Sequence, residues 1–371
     1  MKFVFVAPRF HTNQYEIVKT LQNNGHDIEF NVVEIGHTED HTLLIPKLYE
    51  PCLLSKLAIK LSKKDNVFVY KSFPNPFKYF FELKNTKTNF IILRDPNKYF
   101  SLLNLIIARI IGIKIIFYTQ TDLYKEYTLK SKILRNILLK FFDAAWMTPL
   151  EGNINKYNSH PKHMYFVPFA VPQWVNDISK VVELPKLLMI GKFQERKNYL
   201  LFLKAILFLK EKYDFRVTLI GECMNSKQKE ELDKVEKFIK NNNLEKIVEI
   251  KLNIPFDLIK DYYKEHDCFI LPSRNEPASI SLLEAMACGL PVICSTTCGT
   301  KSYIKEGING FIFKSDNLES LIEKIETSIN NNDKLSKMKE NSFFHSKKTI
   351  TGEAYYKALS NMIFDKWKIK I

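Results

Sequence analysis

Two glutamates, Glu276 and Glu284, stand eight positions apart in the run L-P-S-R-N-E-P-A-S-I-S-L-L-E-A-M-A-C-G-L-P-V-I, residues 271–293. Pro277 pushes the residue before it out of the helical region, so Glu276 is expected on a loop. A helix fits from Ser279 or Ser281 to Cys288, with Gly289 where a C-terminal cap belongs and Pro291 as a stop. The first amides of that helix, at Ser279, Ile280 and Ser281, would form an anion site. Glu284 falls about 7 Å further along, at roughly 1.5 Å per residue. A carboxylate pair could also serve retaining glycoside hydrolysis, but that needs carboxyls about 5 Å apart. A loop residue and one a turn and a half into a helix do not readily meet that spacing. Ser281-x-x-Glu284 equally fits a helix capping box, and Glu276 equally fits a solvated loop position.

A second group of polar residues follows a strand. Leu187 to Ile190 is apolar, and G-K-F-Q-E-R-K-N, residues 191–198, comes directly after it. Lys192, Arg196 and Lys197 put three cations on one short loop beside Gly191. On residue types alone, an ordinary solvated turn reads as well as an anion site. In V-T-L-I-G-E-C, residues 217–223, Gly221 closes another strand.

Both groups need a parallel sheet to position them. Cys268 to Leu271 and Val292 to Ser295 read as buried parallel strands. In an open parallel sheet, ligands sit beyond the carboxyl ends of the strands, which would turn Glu276 toward a crevice. Short β runs alternate with helical runs along the whole chain, the sign of α/β architecture. In the first half the expected strands are Lys2–Ala7, Asp27–Val32, Val67–Tyr70, Phe90–Leu93, Lys114–Thr119, Ala144–Met147 and Tyr165–Val167. Expected helices there are Gln14–Asn24, Phe100–Ile111 and Leu129–Phe142. Pro172 and Pro185 bracket a poorly periodic stretch, the natural linker. In the second half the expected strands are Leu187–Ile190, Arg216–Ile220, Val248–Leu252, Cys268–Leu271 and Val292–Ser295. His266 is expected to end a helix before a strand. The fold class is therefore α/β, with two Rossmann-like parallel-sheet domains facing a cleft. They span residues 1–172 and 186–352, joined by 173–185.

The segment from Glu276 onward resembles the signature of retaining GT-B glycosyltransferases of family 4 (glycosyl transferases group 1), E-P-(F/A)-(G/S)-x-x-x-x-E-A-M-A-x-G-x-P-V-I. Glu276 and Glu284 fill both glutamate places, and Ser279 stands where the family most often has Gly. The likeness continues through G-T-K-S-Y-I-K-E-G-I-N-G-F-I-F, residues 299–313. Residues 191–198 are similar to the family's G-R-L-x-x-x-K-G/N loop, with Lys192 at the Arg position and Lys197 at the Lys position. This resemblance implies a donor nucleotide sugar held by the second domain and an acceptor by the first, with a C-terminal helix, about 353–371, returning to the first domain. It implies that Glu276 contacts the donor sugar and Glu284 the ribose. Lys192 and Lys197 would hold the diphosphate, with Gly191, Arg196, Gly221, Ser279, Ile280 and Ser281 lining the donor site. Fixed cations suit a leaving group that gains negative charge as the sugar bond breaks.

In the first half the resemblance thins. Where relatives carry a Gly-Gly loop, this chain has P-R-F-H-T-N-Q, residues 8–14. Arg9, His11 and Asn13 are placed at the mouth of the expected cleft, and Asn13 also suits a cap for the helix that follows. Gln120 takes the place where many relatives have His, and Glu151, with Gly152, resembles a further cleft loop. Gln120 can hydrogen-bond a hydroxyl but cannot shuttle a proton.

At 371 residues and 46% hydrophobic content, the chain has material for two folded cores. Six cysteines without CxxC spacing suit a reducing, cytoplasmic compartment. The apolar part of M-K-F-V-F-V-A-P-R is short for a signal peptide and reads as a first strand. No G-x-G-x-x-G or G-x-x-x-x-G-K-[ST] loop occurs, which argues against dinucleotide oxidoreductases and P-loop enzymes. Without a D-x-D pair, no metal or other cofactor is expected. The formal net charge is +14, yet no nucleic-acid-binding motif accompanies it. Residues 52–64 and 129–142 are basic and amphipathic. Such helices can lie on an anionic membrane surface, or simply pack their stripes on the sheet. The expected partners are thus a nucleotide-sugar donor and a glycan or lipid-linked acceptor, with a membrane surface as a candidate. The alternatives are a GT-B nucleotide-sugar epimerase, which would release free sugar, and a non-enzymatic basic binding protein, which would show salt-steep binding without turnover.

Overall fold

The computed structural model describes residues 1–371 except 37–39, 63–66, 127, 153–161 and 179–183. Lys63 and Lys64 of the first basic segment and part of the expected linker lie outside the described residues. Contacts divide the chain into two compact units, residues 1–170 with 352–371, and residues 171–351.

In unit 1 the strands are β1 (Lys2–Val6), β2 (Asp27–Val32), β3 (Lys47–Leu48), β4 (Phe90–Arg94), β5 (Lys114–Tyr118), β6 (Ala144–Thr148) and β7 (Met164–Phe166). They pair in parallel in the order β3-β2-β1-β4-β5-β6-β7. The helices are α1 (Tyr15–Asn23), α2 (Leu53–Lys60), α3 (Val67–Lys71), α4 (Pro76–Asn85), α5 (Tyr99–Ile111) and α6 (Leu129–Phe141). The expected strand at Val67–Tyr70 is a correction: these residues form α3. Their β-branched and aromatic character favours a strand, but propensity of this kind yields to tertiary context. The sheet edge beside β2 is taken instead by Lys47–Leu48.

Side chains alternate across the central strands, so each sheet face has its own core. Phe3, Phe5, Ile92 and Ile116 point to the face covered by α1. Val4, Val6, Ile91, Leu93, Ile115 and Phe117 point to the face covered by α4, α5 and α6.

In unit 2 the strands are β8 (Lys186–Lys192), β9 (Arg216–Glu222), β10 (Val248–Leu252), β11 (Cys268–Leu271), β12 (Val292–Ser295) and β13 (Gly310–Phe313). The order β10-β9-β8-β11-β12-β13, parallel throughout, reverses direction between β8 and β11. The helices are α7 (Tyr199–Leu209), α8 (Ser226–Asn241), α9 (Phe256–Glu265), α10 (Ile280–Ala287), α11 (Leu318–Ile329) and α12 (Asn332–Thr349). Asparagine side chains cap several starts, at Asn225, Asn317 and Asn331, each accepting a first-turn amide. His266 ends α9 as expected. The last helix, α13 (Gly352–Trp367), belongs to unit 1. It packs on α1, burying Tyr355, Leu359, Met362 and Ile363 in the core there.

The N-G-F turn before β13 has a packing cause. Asn309 is fully buried, accepts from the Lys305 amide at 2.7 Å and donates to the Tyr303 carbonyl at 3.3 Å. A Cβ on Gly310 would stand 2.1 Å from the Val292 carbonyl oxygen, so only glycine lets β13 approach β12.

Candidate active site in the second unit

The reversal of strand order between β8 and β11 is the place where open α/β sheets leave a crevice. The chain's polar cluster lies there. Beyond β8, Glu195–Lys197 forms a 3-10 turn that ends at Asn198 in the left-handed region, φ 58°. Only Gly, Asn and Asp take that conformation readily, so the residue after Lys197 is constrained by backbone geometry. The turn places Lys197 and Arg196 against the loop after β11. Lys197 Nζ and Arg196 Nη1 each donate to Glu276 Oε2, both at 2.6 Å. Lys197 and Glu276 are buried, whereas the Arg196 side chain is half-exposed. Two cations on one carboxylate leave a net positive charge at the carboxyl end of the sheet.

The loop itself is held from three sides. The Arg274 amide donates to the Arg196 carbonyl at 2.7 Å, and the Gly299 amide donates to the Glu276 carbonyl at 2.8 Å. Asp316 Oδ1 accepts from Arg274 Nε at 2.5 Å and from Asn198 Nδ2 at 3.2 Å. Sequence reasoning missed Arg274, Gly299 and Asp316, whose roles arise from contacts distant along the chain.

Ser279 is the N-cap of α10, its Oγ accepting from the Leu282 amide at 3.3 Å and lying 3.0 Å from Ser281 Oγ. The capping-box alternative for Ser281 and Glu284 is therefore a correction: the cap is Ser279. Ile280 and Ser281 supply the opening residues of the helix. Glu284 lies in the body of α10, buried, and accepts from the Tyr263 hydroxyl of α9 at 3.0 Å. Burial pushes its carboxyl up to about 7, against the opposing pull of the Tyr263 hydrogen bond. Tyr263 is itself buried and stacks on Trp174, ring centroids 5.9 Å apart.

Lys192, the last residue of β8, is half-exposed and donates to Glu222 Oε1 at the end of β9, 2.8 Å away. It does not join the Glu276 pair. Gly191 lies under Lys197: a Cβ there would stand 3.2 Å from the lysine stem. The Gly191 carbonyl accepts from the Tyr199 hydroxyl at 2.8 Å. Gly221 is required for packing, because a Cβ there would fall 2.0 Å from the Phe193 ring.

In unit 1, Arg9, His11 and Asn13 follow β1, Gln120 follows β5, and Glu151 follows β6, so all lie beyond carboxyl ends of the sheet. The expectation that Asn13 caps α1 is corrected. The cap residue is Gln14, which makes no side-chain cap bond, and its Oε1 accepts instead from the His11 amide at 3.0 Å. Asn13 Oδ1 is buried without a hydrogen-bond partner. The Tyr124 amide donates to the Glu151 carbonyl at 2.9 Å, tying the two loops together. Among the described residues no cluster of His, Cys, Asp and Glu is arranged to hold a metal ion.

Residues 172–343 match the model of the family Glycosyl transferases group 1. The matched residues include the Glu276 cluster, Glu284 and Lys192. An uncharacterized glycosyltransferase, MJ1178, of Methanocaldococcus jannaschii is 31% identical over 161 residues, covering 43% of this chain and 43% of the relative. The GDP-Man:Man(3)GlcNAc(2)-PP-Dol alpha-1,2-mannosyltransferase of Mus musculus is 31% identical over 140 residues, covering 35% of this chain and 28% of the relative. The matches thus span less than half the length of these relatives. Among solved structures, Anabaena Alr3699/HepE in complex with UDP superposes with a TM-score of 0.72 at 12% identity, covering 98% of this chain and 100% of that one. That likeness reaches beyond residues 172–343 to nearly the whole chain and shows the GT-B fold.

Proposed function

We propose that the protein is a retaining glycosyltransferase. It moves a hexose-type sugar from a UDP- or GDP-linked donor to a glycan or lipid-linked acceptor in surface polysaccharide or glycoconjugate assembly. The observation that carries this reading is Glu276, buried beneath Arg196 and Lys197 at the strand-order reversal of unit 2. The group 1 match over the same residues and the UDP named for HepE support it.

In this reading the diphosphate lies over Lys197 and Arg196, with the Ile280 and Ser281 amides of α10 adding their dipoles. Lys192 leaves Glu222 and closes on the outer phosphate. Glu276, held by its two cations, accepts from donor-sugar hydroxyls and fixes the ring for attack from the face the diphosphate leaves. Glu284 accepts from the ribose hydroxyls. The bond from the anomeric carbon to the phosphate oxygen breaks, and the acceptor oxygen bonds to that carbon. The acceptor proton passes to the departing phosphate oxygen. Arg9, His11, Asn13, Gln120 and Glu151 belong to the acceptor side, where the unpartnered Asn13 Oδ1 suits an incoming hydroxyl. Fixed cations and helix amides supply the charge stabilisation here, so turnover is expected to persist in EDTA.

A thermal-shift screen against a nucleotide-sugar panel, followed by turnover with the hits, tests the reading. Stabilisation by one nucleotide sugar and its free nucleoside diphosphate is expected. A flat response across UDP- and GDP-linked donors would overturn it.

A further inference from the structure

We infer that the helical layer formed by α2 to α6 on one face of the unit 1 sheet docks on an anionic lipid surface. The observation is an inversion of helix sidedness. A surface helix normally turns its apolar stripe to the core and its charges to water. In α6 the buried residues are Arg135 and Leu139. At roughly 100° per residue, Ile133, Ile137 and Phe141 fall on the opposite side. Those three are exposed, Ile137 at 57% and Phe141 at 63%.

Its neighbour α5 turns apolar residues both ways: Phe100, Leu105, Ile107 and Ala108 are buried beside Ser101 and Asn104, and a second apolar stripe faces out. Ser101 and Asn104 face inward, where the Ser101 hydroxyl donates to the Arg94 carbonyl at 3.0 Å and Asn104 Oδ1 accepts from the Tyr79 hydroxyl at 2.6 Å. Leu102, Ile106 and Ile110, spaced four apart, face outward and are exposed. The two helices are joined at their ends: Arg109 Nε of α5 donates to the Phe141 carbonyl of α6 at 3.0 Å. The outward stripes therefore lie on one surface. On the far side, α2 buries only Ser55 and exposes Leu53, Leu54 and Leu57 beside Lys56 and Lys60. It reaches α5 through α3.

Charge identifies the occupant. Helices α2, α3, α5 and α6 contain lysine and arginine but no aspartate or glutamate, and the single carboxylate of α4, Glu82, is paired with Lys47. A second copy of this chain laid on the face would oppose cation to cation. An anionic headgroup layer complements the lysines, while the leucine and isoleucine side chains enter the acyl boundary beneath. No helix among the described residues is long and apolar enough to cross a membrane, so the geometry is that of lying on the surface. The inference stands apart from the donor chemistry, which belongs to unit 2.

The test uses the full chain and two vesicle preparations, phosphatidylcholine alone and phosphatidylcholine mixed with phosphatidylglycerol. The protein is expected to sediment with the mixed vesicles and to be released by added salt. The double variant Ile106→Asp with Ile137→Asp changes two exposed positions. It should bind the mixed vesicles roughly tenfold or more weakly. It should unfold cooperatively at the wild-type temperature without ligand, which reports that it folds. A wild-type protein that stays in the supernatant with mixed vesicles would overturn the inference. So would equal, salt-insensitive binding to both preparations. A concentration-dependent dimer that the same double variant disperses would assign the face to a second copy and overturn the lipid reading too.

Discussion

The Glu284→Gln variant separates a site role from a packing role, and the structure sets the size of its effect. In the folded protein burial raises the Glu284 carboxyl from its ordinary 4.5 to about 7. At about 1.4 kcal/mol per pKa unit, ionising it inside α10 costs on the order of 3 kcal/mol. The sign follows from proton uptake. Between pH 4.5 and about 7 the folded chain holds this proton more tightly than the unfolded chain, so stability from this group falls as pH rises through that window. Glutamine keeps the acceptor for the Tyr263 hydroxyl and removes the ionisation. Denaturant titration should find Glu284→Gln level with wild type near pH 4.5 and up to about 3 kcal/mol more stable at pH 8. The same change should weaken UDP or GDP binding by roughly tenfold or more at pH 8, because a charged acceptor for ribose hydroxyls is lost. Wild-type affinity should also rise with pH through about 7 as the carboxylate forms. A variant no more stable than wild type at pH 8 would refute the burial argument. Unchanged nucleotide affinity by calorimetry would refute the ribose contact.

Three further substitutions probe the same unit. Lys197→Ala leaves buried Glu276 with Arg196 alone, and should cost about 2–3 kcal/mol by denaturant titration and roughly 100-fold in turnover; wild-type turnover would sink the proposed role. Lys192→Ala breaks only the half-exposed pair with Glu222, so less than about 1 kcal/mol of stability is expected to go. Its turnover should still fall roughly tenfold or more if the lysine closes on phosphate, and a steady-state assay decides. Gly310→Ala drives a Cβ against the Val292 carbonyl, and a loss of about 3 kcal/mol or more is expected by thermal or chemical denaturation; a silent change would contradict the close approach of β13 to β12.

Much of unit 2 is legible in the sequence because its signals are local. Cys268–Leu271 is an apolar run stopped by Pro272 and Val292–Ser295 one that begins after Pro291, and the strands form with those bounds. Asn198 and the Asn309-Gly310 pair mark backbone positions that few residues can occupy. The bonds that make the candidate site are not local. Lys197 meets Glu276 across 79 positions, and Tyr263 reaches Glu284 from another helix, with no residue pattern to announce either. Unit 1 shows the opposite failure. Val-Phe-Val-Tyr at 67–70 has strand chemistry but forms α3, while β3 at Lys47–Leu48 lacks an apolar run. Helix α4 does carry a local start signal: Asn75 accepts from the amides of Phe77 and Lys78, and Pro76 occupies the first turn.

Because α13 supplies Tyr355, Leu359, Met362 and Ile363 to the core beneath β1 and β4, unit 1 is built from two stretches of chain separated by all of unit 2. During synthesis, residues 171–351 are complete before the helix that closes the earlier unit has emerged. The later unit can therefore mature first, while Phe3, Ile17 and Leu21 await their cover. Ribosome-bound intermediates of this chain should accordingly be most vulnerable to proteolysis near the amino terminus.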